Sequence, residues 1–336
     1  MKRRVIKQGR NTLTITLPSK WAQDFNIKAG DELDLVERGN TLFVGVERKS
    51  EELKTEIDIS GMEIPMLWRH FMGFYREGYD EIKVKFNPDE LYDSPFKFFV
   101  SHAMDRKYVK EGKMRRPIEA IQKMMGRFIG FEIIEQHKDH CVIKDMGEIS
   151  SKEFEASLRR VFLLIQQMAE DVNEAMKTKD HKMLEQTHDI DINVDKFHDY
   201  CIRVLNKTGF KDVKKSHIMF AILYLLEMLG DEYKDISFHI FTDVKTEKVD
   251  PCILKLGELV KAMFDNIYSL YYTYSKEKSF ELSKQDHEIF FYMPEVYKRA
   301  IKNQKLSLAE LEIANHFKRI VRYINALVEL IVEREY

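Results

Sequence analysis

The chain has 336 residues, too many for one ordinary core, so its length predicts two or three domains. A hydrophobic share of 44%, a charged share of 33% and few Gly (14) or Pro (7) fit a soluble protein of long helices and argue against a loop-rich all-β protein. The net charge of −2 excludes a chain that is basic throughout.

Charge is nevertheless uneven. Residues 1–30 hold seven Lys or Arg against the single acid Asp24, an asymmetry that points to a polyanion at this end. Cys141, Cys201 and Cys252 lie far apart without CxxC or Cys/His spacing, so neither a disulfide framework nor a zinc finger is expected. No apolar segment follows the basic start, which argues against a signal peptide. The longest apolar run, residues 218–226, is far shorter than the roughly 20 residues that span a bilayer. These features predict a cytoplasmic protein with no membrane insertion.

The first fifty residues follow a period of two. After a turn at Gly9-Arg10-Asn11, Leu13, Ile15 and Leu17 alternate with Thr12, Thr14 and Thr16. Pro18 and Ser19 open a short helix over 20–25, which Asn26 can end in the left-handed conformation. Residues 32–36 alternate again, and Arg38-Gly39-Asn40 makes a hairpin into 42–46. Four short strands and one helical turn cannot bury enough apolar surface alone, so this segment needs a partner, most simply an identical chain.

The run from Gly9 to Ala22, followed by Ile27 to Leu33, resembles the AbrB/SpoVT swapped-hairpin module over residues 4–46. The resemblance implies that two chains interleave their hairpins into one small barrel whose basic face contacts double-stranded DNA. The contact set would be drawn from Arg3, Arg4, Lys7, Arg10 and Lys20. Each phosphate they neutralise would release counterion, so binding would weaken steeply with salt. The alternative is a merely solvated basic face on a module that only dimerises. Glu32, Asp34 and Glu37 on the later strands repel a duplex, so one face at most can bind.

Residues 47–56 are charged, lack aromatic residues and read as a connector. Helical spacing returns at Ile64, Leu67, Trp68, Phe71, Met72 and Tyr75 and stops at Gly78. Residues 82–86 alternate as a strand, helical stretches follow around 95–105 and 117–128, and 131–135 with 141–144 make a hairpin. Helices with three strands predict a small α+β layer. The basic residues between Arg106 and Arg127 read as a solvated loop and helix face, with no site assigned.

From Ser150 onward the pattern is helical, over 151–178, 181–206, 216–241, 251–275, 283–303 and 307–335. Ser150 with Glu153 and Ser307 with Glu310 fit capping boxes, and Asp250-Pro251 places a cap before a first-turn proline. The six helices divide into two groups of three, as in a repeat of two three-helix bundles. In the first group Asp191 and Asp195 share one helix face with His188 and His198, and Glu227 and Asp231 are again four apart on the next helix. Like charges at that spacing repel, and a cation between the helices offsets the repulsion. Facing carboxylates and imidazoles can hold iron, manganese or zinc in a bundle; the alternative is an ordinary charged face, with Lys234, three residues on, neutralising Asp231.

Leu226-Glu227-Met228-Leu229-Gly230-Asp231 resembles the Leu-Glu-Arg-Ile-Gly-Asp signature of the PhoU family, and Asp191 to Asp195 resembles that family's other acidic motif. The resemblance implies metal positions at Asp191, Asp195, Glu227 and Asp231; the two histidines are added from helical phase alone. In the second group Lys318 and Arg322 stand where the acids would recur, so at most one bundle takes metal. Over most of residues 4–245 the chain resembles archaeal PhoU-like phosphate-uptake regulators with an N-terminal AbrB module.

The expected fold is therefore α+β and multidomain: an AbrB-like swapped-hairpin barrel (1–47), an α+β middle segment (60–147) and PhoU-like three-helix bundles (150–245 and a degenerate 250–336). The expected function is a homodimeric DNA-binding regulator of phosphate signalling. An alternative is an adaptor that regulates phosphate transporter components by protein contact, its first module only dimerising it. A metal-dependent hydrolase ranks last: no phosphate loop, nucleophile elbow or HExxH occurs, so no enzyme is expected.

Overall fold

The structure is a computed structural model, which describes residues 2–9, 12–38, 41–45, 52–92, 114–147, 151–208, 213–242, 244, 249–303 and 306–336. It divides into two compact units, Met1–Glu52 and Leu53–Tyr336. The architecture is α+β and multidomain, with short strands first and long helices after.

The first unit contains two separate hairpins. Strand β1 (Ile6–Gln8) pairs antiparallel with β2 (Thr12–Thr14), with Lys7 opposite Leu13, and Gly9 supplies the positive φ of 74° that opens the turn. The short helix α1 (Ser19–Asp24) follows Pro18, and Asn26 leaves it with a φ of 51°, as its residue type predicts. Strands β3 (Asp34–Arg38) and β4 (Thr41–Gly45) form the second hairpin. None of the side chains described in this unit is buried: Leu13 is 71% exposed and Leu35 62% exposed, and Ile6, Ile15 and Leu42 are exposed too. Two-stranded hairpins are marginal in water, and such apolar surface calls for a cover.

The second unit begins with a four-stranded sheet. Its strands are β5 (Lys54–Asp58), β6 (Glu81–Lys85), β7 (Phe131–Gln136) and β8 (His140–Asp145), in the order β5-β6-β8-β7. β5 runs parallel to β6, and the helix α2 (Ile64–Glu77) connects them; the other pairs are antiparallel. Residues 54–58 therefore correct the reading of 47–56 as a connector. Only Thr55 and Ile57 of that edge strand are half-buried, and its charged alternate residues hid the pattern. α2 buries Ile64, Leu67, Phe71 and Tyr75 and ends at Gly78, whose φ of 96° a side chain would strain. α3 (Pro117–Met125) buries Ala120, Ile121 and Met124 on one face. The helix expected around 95–105 lies outside the described residues.

Six long helices follow: α4 (Ser151–Thr178), α5 (His181–Thr208), α6 (Val213–Thr242), α7 (Pro251–Tyr272), α8 (Lys276–Asn303) and α9 (Leu308–Glu335). α4, α5 and α6 pack on one another, α8 and α9 pack with α7, and α6 lies along α9. Gly257 permits the approach of α7 to α4 and α9, because a Cβ there would stand 2.3 Å from Asn173 Oδ1 and 3.0 Å from Phe317 Cζ. Asp250 caps α7 by accepting from the Cys252 amide at 2.9 Å. Ser307 and Glu310 form the expected capping box at α9, with reciprocal bonds of 3.2 and 2.8 Å. Ser150 lies outside the described residues. α8 starts seven residues earlier than its apolar spacing predicts and carries Pro294 within it. The run 218–226, apolar on every side, buries Ile222, Leu223 and Leu226 but leaves Phe220 and Tyr224 stacked and exposed. Among the described residues, no helix is long and apolar enough to cross a membrane.

Candidate functional site

The N-terminal candidates are Arg3, Arg4, Lys7, Arg10 and Lys20. Arg3 and Arg4 precede β1, Lys7 lies on it, and Lys20 stands in the first turn of α1. Those four are exposed, and Arg10 lies outside the described residues. Lys7 pairs across the hairpin with Leu13, so a basic and an apolar residue share one register position.

The carboxylate candidates lie on α5 and α6. Asp191, Val194 and Gly230 bring these helices close: a Cβ on Gly230 would stand 3.2 Å from Val194 Cγ1 and 3.6 Å from Asp191 Oδ1. Between the helices sits Lys234, whose ammonium donates to Asp191 Oδ2 at 2.9 Å and also to Asp231 Oδ1. Burial works against the charge of Lys234, but Asp191, Asp231 and Asp195 outweigh it and hold the amine protonated. Asp195 turns instead to the α+β layer, where Arg127 donates to it at 2.7 Å while stacking over Trp68 at 4.8 Å. Burial raises the carboxyls of both Asp191 and Asp195; the charge of Asp231 adds to the first and that of Asp191 to the second. Burial, with Asp231 nearby, pushes Glu227 up to about 7.

As placed, these four carboxylates do not fit a metal ion. The chain's own ammonium is shared by Asp191 and Asp231, a guanidinium holds Asp195, and no group of three or more His, Cys, Asp or Glu is arranged to hold a metal among the described residues. His198 is buried and contacts Asp199 at 3.3 Å.

The electrostatics reach further along α5 than the acidic motif. Asp199 accepts from Arg76 of α2 at 2.8 Å, Arg203 donates to Asp145 at 2.5 Å, and Lys207 pairs with Asp80. Positions 191, 195, 199, 203 and 207 each step four residues and form one ridge that winds along α5. From Asp195 to Lys207 this ridge fastens the bundle to the α+β layer. Asp199, Arg203 and Lys207 were absent from the sequence-derived set, although their i,i+4 continuation of Asp191 and Asp195 was the available signal.

Residues 6–51 match the family of the antidote-toxin recognition protein MazE, a bacterial antitoxin. A structure of the phosphate transport system regulatory protein PhoU from Streptococcus pneumoniae is similar at 20% identity, with a TM-score of 0.48, over 55% of this chain and 94% of that one. No curated protein matches the chain. The chain thus opens with a MazE/AbrB-like domain, and the exposed Lys7 and Lys20 lie within it.

Proposed function

We propose that the chain is a DNA-binding regulator of phosphate signalling that works as a homodimer through its first fifty residues. The observation that carries this reading is the first unit itself. It matches a family of small antitoxin domains, presents Arg3, Arg4, Lys7 and Lys20 to solvent, and leaves Ile6, Leu13, Ile15, Leu35 and Leu42 exposed. A second copy covers Leu13 and Leu35, and the two sets of basic residues then add on one surface to meet a duplex. The phosphate assignment rests on the likeness of residues 191–195 and 226–231 to PhoU motifs. In this reading the helical unit is the sensing and docking part, and its acidic face is structural.

Filter binding of labelled duplex DNA across a salt series tests the proposal. Affinity falls with salt at a log–log slope of about −0.9 per phosphate neutralised. Lys7→Glu with Lys20→Glu abolishes binding and leaves the dimer intact. A dimer without affinity for DNA at low salt contradicts this reading and favours the transporter adaptor.

A further inference from the structure

A groove lies where α9 carries Lys318 and Arg322. α8 and α9 border a cleft of about 510 Å³ lined by Phe290 and Tyr297 from α8 and by Lys318, Arg322 and Asn325 from α9. Lys318 and Arg322 are four residues apart, so their exposed cationic ends share one face of α9. Neither makes an ion pair among the described residues, whereas Arg319 between them is held by Glu232 at 2.8 Å. The one carboxylate in the cleft, Asp286, accepts from the Asn325 amide at 2.7 Å. Among the described residues the cleft therefore sets two cations against one carboxylate.

Its other wall is aromatic. Phe290 is 67% exposed, an unusual state for so large an apolar ring beside an open cleft. The Lys318 ammonium lies 5.7 Å from the centre of the Tyr297 ring, so cation and ring face the same space. The volume falls within the roughly 300–1,000 Å³ of ordinary small-molecule sites.

We propose that this cleft binds an organic phosphate of the nucleotide class. Arg322 offers the planar fork that matches a phosphate, and Lys318 adds a compact charge beside it. Phe290 offers an exposed ring to a flat base, and the half-buried Tyr297 lines the wall beneath Lys318. The Asp286–Asn325 pair supplies an acceptor and a donor for the edge of that base. A bare phosphate would leave Phe290 in water, and an uncharged ring would leave the two cations unmet. The site does not depend on whether the first unit binds DNA.

Calorimetric titration of the full chain with AMP, adenosine and inorganic phosphate tests this at low ionic strength. The expected result is one AMP per chain, bound more tightly than adenosine or phosphate. Arg322→Glu weakens AMP by about tenfold or more, and Phe290→Ser weakens AMP while leaving phosphate unchanged. Both positions are exposed, so folding is preserved, and circular dichroism checks it. Absence of AMP binding, phosphate binding as tightly as AMP, or AMP binding that survives Arg322→Glu overturns the proposal.

Discussion

Arg203, with none of its surface exposed, donates to Asp145 Oδ2 at 2.5 Å and to the carbonyls of Tyr75 and Tyr79 at 2.7 and 2.8 Å. Its guanidinium also lies 4.9 Å from the centres of the Tyr75 and Phe131 rings. One side chain of α5 thereby holds the C-terminal end of α2 and the end of β8. Arg203→Ala leaves Asp145 and two carbonyls without their donor, and we expect a loss of about 3–5 kcal/mol in urea unfolding. Arg203→Lys recovers only part of this, because an ammonium lacks the fork. An unfolding free energy within about 1 kcal/mol of wild type contradicts the role.

Lys234 tests the acidic face. Lys234→Met leaves the buried Asp191 without its counter-ion and costs about 3 kcal/mol. Asp191→Asn combined with Lys234→Met restores most of that loss, since the pair is removed together. Added manganese or iron leaves the wild-type midpoint unchanged. A midpoint that rises with metal concentration contradicts an internally neutralised face.

Asp191, Asp195, Glu227 and Asp231 were legible in the sequence, but the cations that other elements bring to this region were not. Lys234 lies 43 residues from Asp191, Arg127 lies 68 from Asp195, and Arg76 lies 123 from Asp199. Helical phase shows which acids share a face and says nothing of which cation another element brings. The caps at Asp250 and Ser307 were readable because cap and partner are neighbours in the chain. β5 was missed for the opposite reason: an edge strand with one apolar residue, Ile57, carries too little alternation to stand out from a charged connector.

The cysteines report on the integrity of the second unit. Burial pushes the thiols of Cys141 and Cys252 up to about 12, and burial raises that of Cys201 as well. A thiol reacts as its thiolate, so native protein resists a disulfide reagent at pH 8 (about the value where a free cysteine begins to ionise). All three react once the chain is unfolded. Fast reaction of the native protein contradicts the packing.

Asp250 gives the helical unit an acid dependence. Burial alone would raise its carboxyl, but the bonds from the Cys252 amide and from Arg299 outweigh burial and bring it below its ordinary 3.8. A carboxyl lowered on folding stabilises the chain above its unfolded value, and that share is lost as pH falls through the folded value. Asp250→Ala therefore costs about 1 kcal/mol at neutral pH, and the gap to wild type closes as the solution is acidified below that range. A gap that stays constant with pH contradicts the ionised cap.

Sedimentation of the full chain speaks most directly to the regulator account, since a first unit that exposes Leu13, Leu35 and Leu42 calls for a second copy to cover them. The account predicts a species of twice the 40.0 kDa chain mass that Leu13→Asp with Leu35→Asp converts to a single folded chain without DNA affinity. A wild-type protein that sediments as one chain at micromolar concentration contradicts it.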